Sequence, residues 1–359
     1  MRFSTALIGL FLFVFLVLFL HGIAHAADAP APTAAGAIPA NAADPLGCKL
    51  VFADGYAYGI DHTGAFDPKG DLGPLIGEQG EGYGVVGAAT DKNDGNRDAG
   101  YVWHSADELI VAFRGTLPDV GDTADNSKQM LAIEDWINDA NYTPQADPKL
   151  GQVHAGFKGA FDQVWPAMQQ QIVAWQKAGK IGPHTKVYVT GHSKGGALAM
   201  LAALTLTGEK LLPVTEVVTF GAPRVGGPDF AAKYAAAGIN DVRYENYQDL
   251  VPHVPLNSLE LDLAPLLRRL ISLKGQPNGD YVSVGKLRYI DSDGSVSTPA
   301  DASAEDELEK SRLTDFAPMI LQSPQDTAEA LVGAHSIAPD SGYFKAVCGA
   351  VPASQSVTR

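Results

Sequence analysis

The stretch Thr190-Gly191-His192-Ser193-Lys194-Gly195-Gly196 lies between a β-prone run, Lys186 to Thr190, and a helix-prone run of small and apolar residues, Gly195 to Thr207. No other feature constrains the chain as strongly. A G-x-S-x-G pattern in that context reads as a sharp strand-to-helix bend that lifts a serine hydroxyl above the edge of a sheet. The bend leaves no room for side chains two positions before and after the serine, so Gly191 and Gly195 are required. The helix that opens there points its positive end and unpaired N–H groups at the same spot. Stripped of its strand and helix, the pattern would equally describe an ordinary glycine turn.

The surrounding sequence alternates in the same way. Leu109 to Phe113, Val214 to Phe220 and Val242 to Asn246 read as short strands, and Phe157 to Gln176 and Asp229 to Ala237 as helices. Apolar strands between helices predict an α/β fold of the α/β-hydrolase type, with a mostly parallel central sheet and helices on both faces. Between Cys48 and Trp103 the chain is rich in Gly and Asp, and Tyr83 to Ala89 and Gly100 to Trp103 read as hairpin strands around the turn formers Asn93-Asp94-Gly95-Asn96. The acidic turn Asp91 to Asp98 has the wrong register for an EF-hand, because Gly95 stands where a side-chain ligand belongs. A solvated turn is the expectation, and neither metal nor organic cofactor is called for.

The ends of the chain carry separate signals. Residues 1–26 read as a signal peptide: Arg2, an apolar run from Ala6 to Leu20, then Ala24-His25-Ala26 as the cleavage site. An uncleaved anchor is the alternative, for which the apolar run is short. Residues 27–45 are rich in Ala and Pro and read as a disordered tether, leaving 46–359 as one folded domain with 46% apolar and 19% charged residues over the whole chain. Loss of the leader removes one positive charge, Arg2, and no acid, so the net charge of -15 becomes -16. Such a protein is not drawn to nucleic acid or to anionic lipid by long-range attraction, and after leader cleavage no integral membrane span is expected. The two cysteines, Cys48 and Cys348, stand at opposite ends of the domain. In the oxidising compartment that export implies they read as a disulfide; two buried thiols are the alternative.

A serine hydroxyl needs a base, and the base needs a carboxylate to hold its tautomer. In α/β-hydrolases both follow the serine, acid first. Only His253 and His335 lie downstream of Ser193. His253 is too close along the chain to the likeliest acid, which leaves His335 as base. Asp249 follows a strand at the sheet's expected carboxyl edge, where sites on such sheets collect, and is favoured over Asp229, Asp241 and Asp262. The backbone N–H of Lys194 and the N–H of Thr116, after Arg114-Gly115, are the candidate oxyanion donors.

Taken together these segments resemble the class 3, or filamentous-fungal type, lipase family. The resemblance is carried by Ile110 to Thr116, Asp135 to Asp139, Val153 to Phe157, Thr190 to Ala197, Phe220 to Gly226 and Asn246 to Pro255, in the family's order, with a weaker match at Tyr281 to Ile290. It implies a triad of Ser193, Asp249 and His335, an oxyanion residue at Thr116, and a lid within Leu117 to Tyr142. One departure stands out: the family often places its histidine about three residues before an aromatic pair, whereas His335 precedes Tyr343-Phe344 by eight. The expectation is an exported, secreted or periplasmic serine ester hydrolase. Its substrate would be a lipid or other ester, with a lipid-water interface as one place of meeting: triacylglycerol first, with phospholipase A1 or feruloyl-type esterase activity as alternatives. An inactive exported binding protein on the same scaffold is the alternative of another class. Leu259 to Leu273, with Arg268-Arg269, reads as a core helix or a second lipid contact.

Overall fold

Leu109, Val111 and Phe113 point to one side of a strand and Ile110 and Ala112 to the other, and all five are fully buried. A strand apolar at successive positions cannot lie at a surface, so both of its faces must be covered. In the computed structural model, which describes residues 42–60, 80–88, 98–116, 144–255, 281–322, 333–338 and 341–349, this pattern holds for the middle of an eight-stranded sheet.

The elements in chain order are α1 (Pro45–Ala57), β1 (Glu81–Val86), β2 (Ala99–His104), β3 (Glu108–Phe113), β4 (Pro144–Asp147), β5 (Gly151–His154), α2 (Ala155–Lys177), β6 (Lys186–His192), α3 (Lys194–Gly208), β7 (Glu216–Phe220), α4 (Pro228–Ala236), β8 (Asp241–Asn246), β9 (Lys286–Ile290), β10 (Val296–Ser297), α5 (Ala302–Gln322) and α6 (Gly342–Cys348). The sheet runs β1-β2-β3-β6-β7-β8-β9-β10, while β4 and β5 form a separate pair. From β3 to β9 every neighbour is parallel; the outer pairs at both ends are antiparallel. The carboxyl ends of β3, β6, β7 and β8 therefore open on one edge, and the residues after those strands become neighbours.

Two cores sandwich the sheet. On one face α2 buries Phe157, Phe161, Val164, Trp165, Met168, Ile172 and Trp175, spaced three or four residues apart, together with the apolar helix α3. On the other, α1 and α6 pack over Tyr101, Trp103, Ile110, Tyr188, Val218 and Phe220. The fold is thus the mostly parallel α/β arrangement that the alternation of strands and helices implies.

The sequence reading gives strands but no helix between Cys48 and Trp103, whereas the structure begins that stretch with α1. The helix has no apolar stripe to announce it: Gly47, Cys48, Leu50, Val51, Ala53, Asp54, Tyr56 and Ala57 are all buried, on several sides of its axis. It is fixed from outside. Asp44 caps it by accepting from the Gly47 N–H at 3.0 Å, with Pro45 in the first turn, and the Asp44 N–H donates to Val347 O at 3.0 Å. A disulfide joins Cys48 of α1 to Cys348 of α6, with 4.8 Å between their Cα atoms. The proposed leader 1–26, all but the last residues of the tether 27–45, the lid segment 117–142, the segment 259–273 and the acidic turn up to residue 97 lie outside the described residues. Among the described residues no helix is long and apolar enough to cross a membrane.

Candidate active site

Ser193 occupies the bend between β6 and α3 with φ 57° and ψ -134°. Only one other described non-glycine residue, Lys210, has positive φ. Such a backbone persists only where its surroundings over-determine it. Here the Ser193 N–H donates to Phe220 O at 3.0 Å and Gly196 N–H returns to Ser193 O at 2.9 Å. A Cβ on Gly191 would strike the backbone of Gly195, and a Cβ on Gly195 would strike the carbonyl of Phe113. The bend therefore needs both glycines, and the serine side chain, unused as a helix cap, stands at the carboxyl edge of the sheet.

Asp249 follows β8 on that edge and is fully buried. Its Oδ2 lies 2.7 Å from His335 Nδ1 and accepts from Tyr343 Oη at 2.6 Å, while Oδ1 accepts from the Val251 N–H at 2.9 Å. Burial alone would raise the Asp249 carboxyl. The neighbouring His335 and the hydrogen bonds from His335, Tyr343 and Val251 outweigh it and hold the group below its ordinary value. A carboxylate there fixes the proton of His335 on Nδ1, and Nε2, buried and with no hydrogen-bond partner among the described residues, keeps its lone pair. No hydrogen bond joins Nε2 to Ser193 Oγ; in sites of this kind that bond often tightens only around substrate.

The other acids named from sequence fall elsewhere. Asp229 accepts from the Gln152 and Phe230 amides, Asp241 starts β8 at the opposite edge and accepts from Tyr234 Oη at 2.8 Å, and Asp262 lies outside the described residues. His253 sits in a one-turn helix, Val251–His253, and acts electrostatically on Glu245.

Gly221, after β7, is the floor of the acid-base pair. Its φ is +56°, and a Cβ there would lie 2.6 Å from Asp249 Oδ2 and 3.0 Å from His335 Nδ1. Gly221→Ala should therefore cost at least tenfold in kcat, about 1.4 kcal/mol of barrier, by forcing those two groups apart. Steady-state kinetics on a soluble ester checks this; an unchanged kcat would show that the pair tolerates displacement.

Residues 114–116 leave β3 beside the bend. A Cβ on Gly115 would stand 2.9 Å from His192 O and 3.1 Å from Ser193 Cβ, which puts the exit of β3 against the serine and Thr116, itself buried, next in line. Arg114 anchors this exit by donating to Ile60 O. Across the bend, Lys194 opens α3, so its backbone N–H is one of the amides without a partner in the helix, and its Nζ pairs with Asp98 Oδ1 at 2.5 Å. The elbow, the Asp249–His335 pair and the β3 exit thus share one edge.

Several supporting residues were not legible in the sequence. Asn246 Nδ2 donates to Ala334 O at 2.9 Å, next to His335, and the Asn246 N–H donates to Tyr343 Oη at 3.1 Å. Arg312 reaches from α5 to the carbonyls of Asn246 at 2.9 Å and Asp249 at 3.2 Å, and to Glu245 at 2.8 Å. Burial would raise Glu245, but Arg243 and Arg312 overcome it and bring the carboxyl down to about 2. The eight-residue interval from His335 to Tyr343 accommodates a turn and the Ser341 cap of α6, and Tyr343 still reaches Asp249. Among the described residues no group of three or more His, Cys, Asp or Glu side chains is arranged to hold a metal ion.

Residues 110–259 match the model of the class 3 lipase family. The chain is 36% identical to a lipase of Rhizopus niveus over 168 residues, which cover 44% of this chain and 38% of that one. It is 38% identical to a lipase of Rhizomucor miehei over 130 residues, 34% of this chain and 35% of the relative. The matches span well under two thirds of either relative. Among solved structures, the Rhizomucor miehei triacylglyceride lipase is similar at 21% identity with a TM-score of 0.46, covering 70% of this chain and 81% of that one.

Proposed function

We propose that this chain, which over residues 110–259 matches the model of the class 3 lipase family, hydrolyses carboxylic esters with Ser193 as nucleophile, His335 as base and Asp249 as its orienting acid. The observation that carries the reading is the buried Asp249–His335 pair, its Nε2 unpartnered, on the same sheet edge as the positive-φ Ser193.

In this reading Ser193 Oγ attacks the ester carbonyl while its proton passes to His335 Nε2. The charge that develops on the carbonyl oxygen is met by the Lys194 N–H and by Thr116, donors of a kind that contribute about 3 kcal/mol each. Collapse expels the alcohol, which takes the proton from His335. Water, deprotonated by the same ring, then releases the acid and restores the serine. Only side-chain and backbone groups of the chain are used.

Lipid esters of glycerol are the proposed substrates, triacylglycerol first, supported by the family match. Export is part of the proposal, supported by the Cys48–Cys348 disulfide, which persists in oxidising compartments. The test is labelling by a fluorophosphonate probe, followed by a panel of triglyceride, phospholipid and aryl esters. Labelling with highest kcat/KM on triglyceride is expected. A chain that takes no label and turns over none of the esters would be a binding protein on this scaffold.

A further inference from the structure

Asp54 and Tyr58 stand four residues apart at the end of α1, and Thr190 and His192 two residues apart at the end of β6. Four residues of helix rise about 6 Å and two of strand about 6.6 Å, so the two pairs meet in register. Thr190 Oγ1 donates to Val218 O at 2.8 Å and lies 3.0 Å from Asp54 Oδ2, and Tyr58 Oη lies 2.7 Å from His192 Nδ1. The x residue before the serine is thus gripped from α1, an element that the sequence reading did not connect to the site.

The other nitrogen of the ring fixes the direction of every proton in the chain of contacts. His192 Nε2 lies 2.6 Å from the backbone oxygen of His335. A carbonyl only accepts, so Nε2 carries the hydrogen; Nδ1 then has only a lone pair, and Tyr58 Oη–H must donate to it. The Tyr58 oxygen also fills the space where a Cβ on Gly115 would sit, which packs it against the exit of β3. A single line of donors therefore runs from Tyr58, packed against the β3 exit, through His192 to the main chain of His335.

We propose that Tyr58 and His192 are positioning residues that set His335 relative to the oxyanion strand. Asp249 grips His335 by its ring and His192 grips it by its carbonyl, so the ring is held at two points with Nε2 left to act. The rings of His192 and His335 are 4.5 Å apart. Burial first, and the adjacent His335 second, bring His192 down to about 3, so it stays neutral and adds no repulsion when His335 takes a proton. This inference rests on the proposed hydrolytic role of Ser193 and His335, and assigns two residues to it beyond the triad and the oxyanion donors.

The test is a double-mutant cycle on a soluble short-chain ester, with kcat and KM read separately and folding checked by thermal unfolding. Tyr58→Phe removes one oxygen, and kcat should fall about tenfold, the equivalent of one hydrogen bond's worth of barrier, with KM within about twofold. His192→Leu should lower kcat about a hundredfold. In the Tyr58→Phe/His192→Leu double variant kcat should equal that of His192→Leu, since the tyrosine acts only through the ring. If His192→Leu does not fold, His192→Gln, which keeps a donor near the Nε2 position, takes its place, and adding Tyr58→Phe should again change nothing. Wild-type kcat in Tyr58→Phe, additive losses in the double variant, or a loss shared equally by KM would overturn the proposal. If the wild type turns over ester and Ser193→Ala does not, such a result removes this inference alone; an inert wild type would remove the hydrolase reading with it.

Discussion

Ser193→Ala should lower kcat for ester hydrolysis by about four to six orders of magnitude while leaving the fold intact. The expected loss is large because the nucleophile acts as a unit with its base. What remains would come from the oxyanion donors and from binding alone. The fold should survive because the serine side chain makes no cap to α3, and because the bend is held by main-chain bonds to Phe220 and Gly196 that alanine retains. Thermal unfolding and loss of fluorophosphonate labelling together make the check. Activity retained in Ser193→Ala would move the reaction to another residue and undo the assignment.

The second large effect is expected from opening the Cys48–Cys348 disulfide. It closes a loop with a sequence separation of 300 residues, and its removal by Cys48→Ala/Cys348→Ala should destabilise the protein by about 2 to 5 kcal/mol. Activity should fail at a lower temperature than global unfolding. The reason is which helices the bond ties: α1 leads into Tyr58 beneath His192, and α6 carries Tyr343, which donates to Asp249. Loosening either helix lets the acid-base pair drift before the sheet opens. Paired measurements of residual activity and of thermal unfolding, with and without reductant, test this; coincident midpoints would show that the clasp serves stability alone.

Much of the scaffold was legible because its strands obey one local rule. A strand buried on both faces must be apolar at successive positions, and β3, β6 and β7 announce themselves in that way. The bend at Ser193 was legible because Gly191 must clear Gly195 only four residues on, although what demands Gly195 is the carbonyl of Phe113 on the neighbouring strand. Asp249 could be preferred over Asp229 and Asp241 from its place after a strand, and the structure brings it, unlike those two, to His335. The helix α1 was illegible for the opposite reason. It is buried around most of its circumference, so it carries no period, and its stability comes from a partner 300 residues away. The same holds for Arg312, which no local pattern marks; Asn246 and Tyr343 stand in segments that the family resemblance picks out, but their bonds to Ala334 and Asp249 arise only where distant segments meet.

The buried ionic cluster on α5 has a consequence for the order of synthesis. Arg312 clasps the carbonyls of the segment that bears Asp249, and Glu305 and Glu309 pair with Arg243 and Arg224 from the same helix. A nascent chain that has emerged only as far as Asp249 would own the nucleophile bend and a carboxylate, yet neither the imidazole nor the guanidinium that sets the carboxylate's backbone. If His335 is the base, ribosome-bound intermediates are hydrolytically mute until residues 312 and 335 have both emerged, and maturation of the site waits on segments that lie far beyond the nucleophile in the chain.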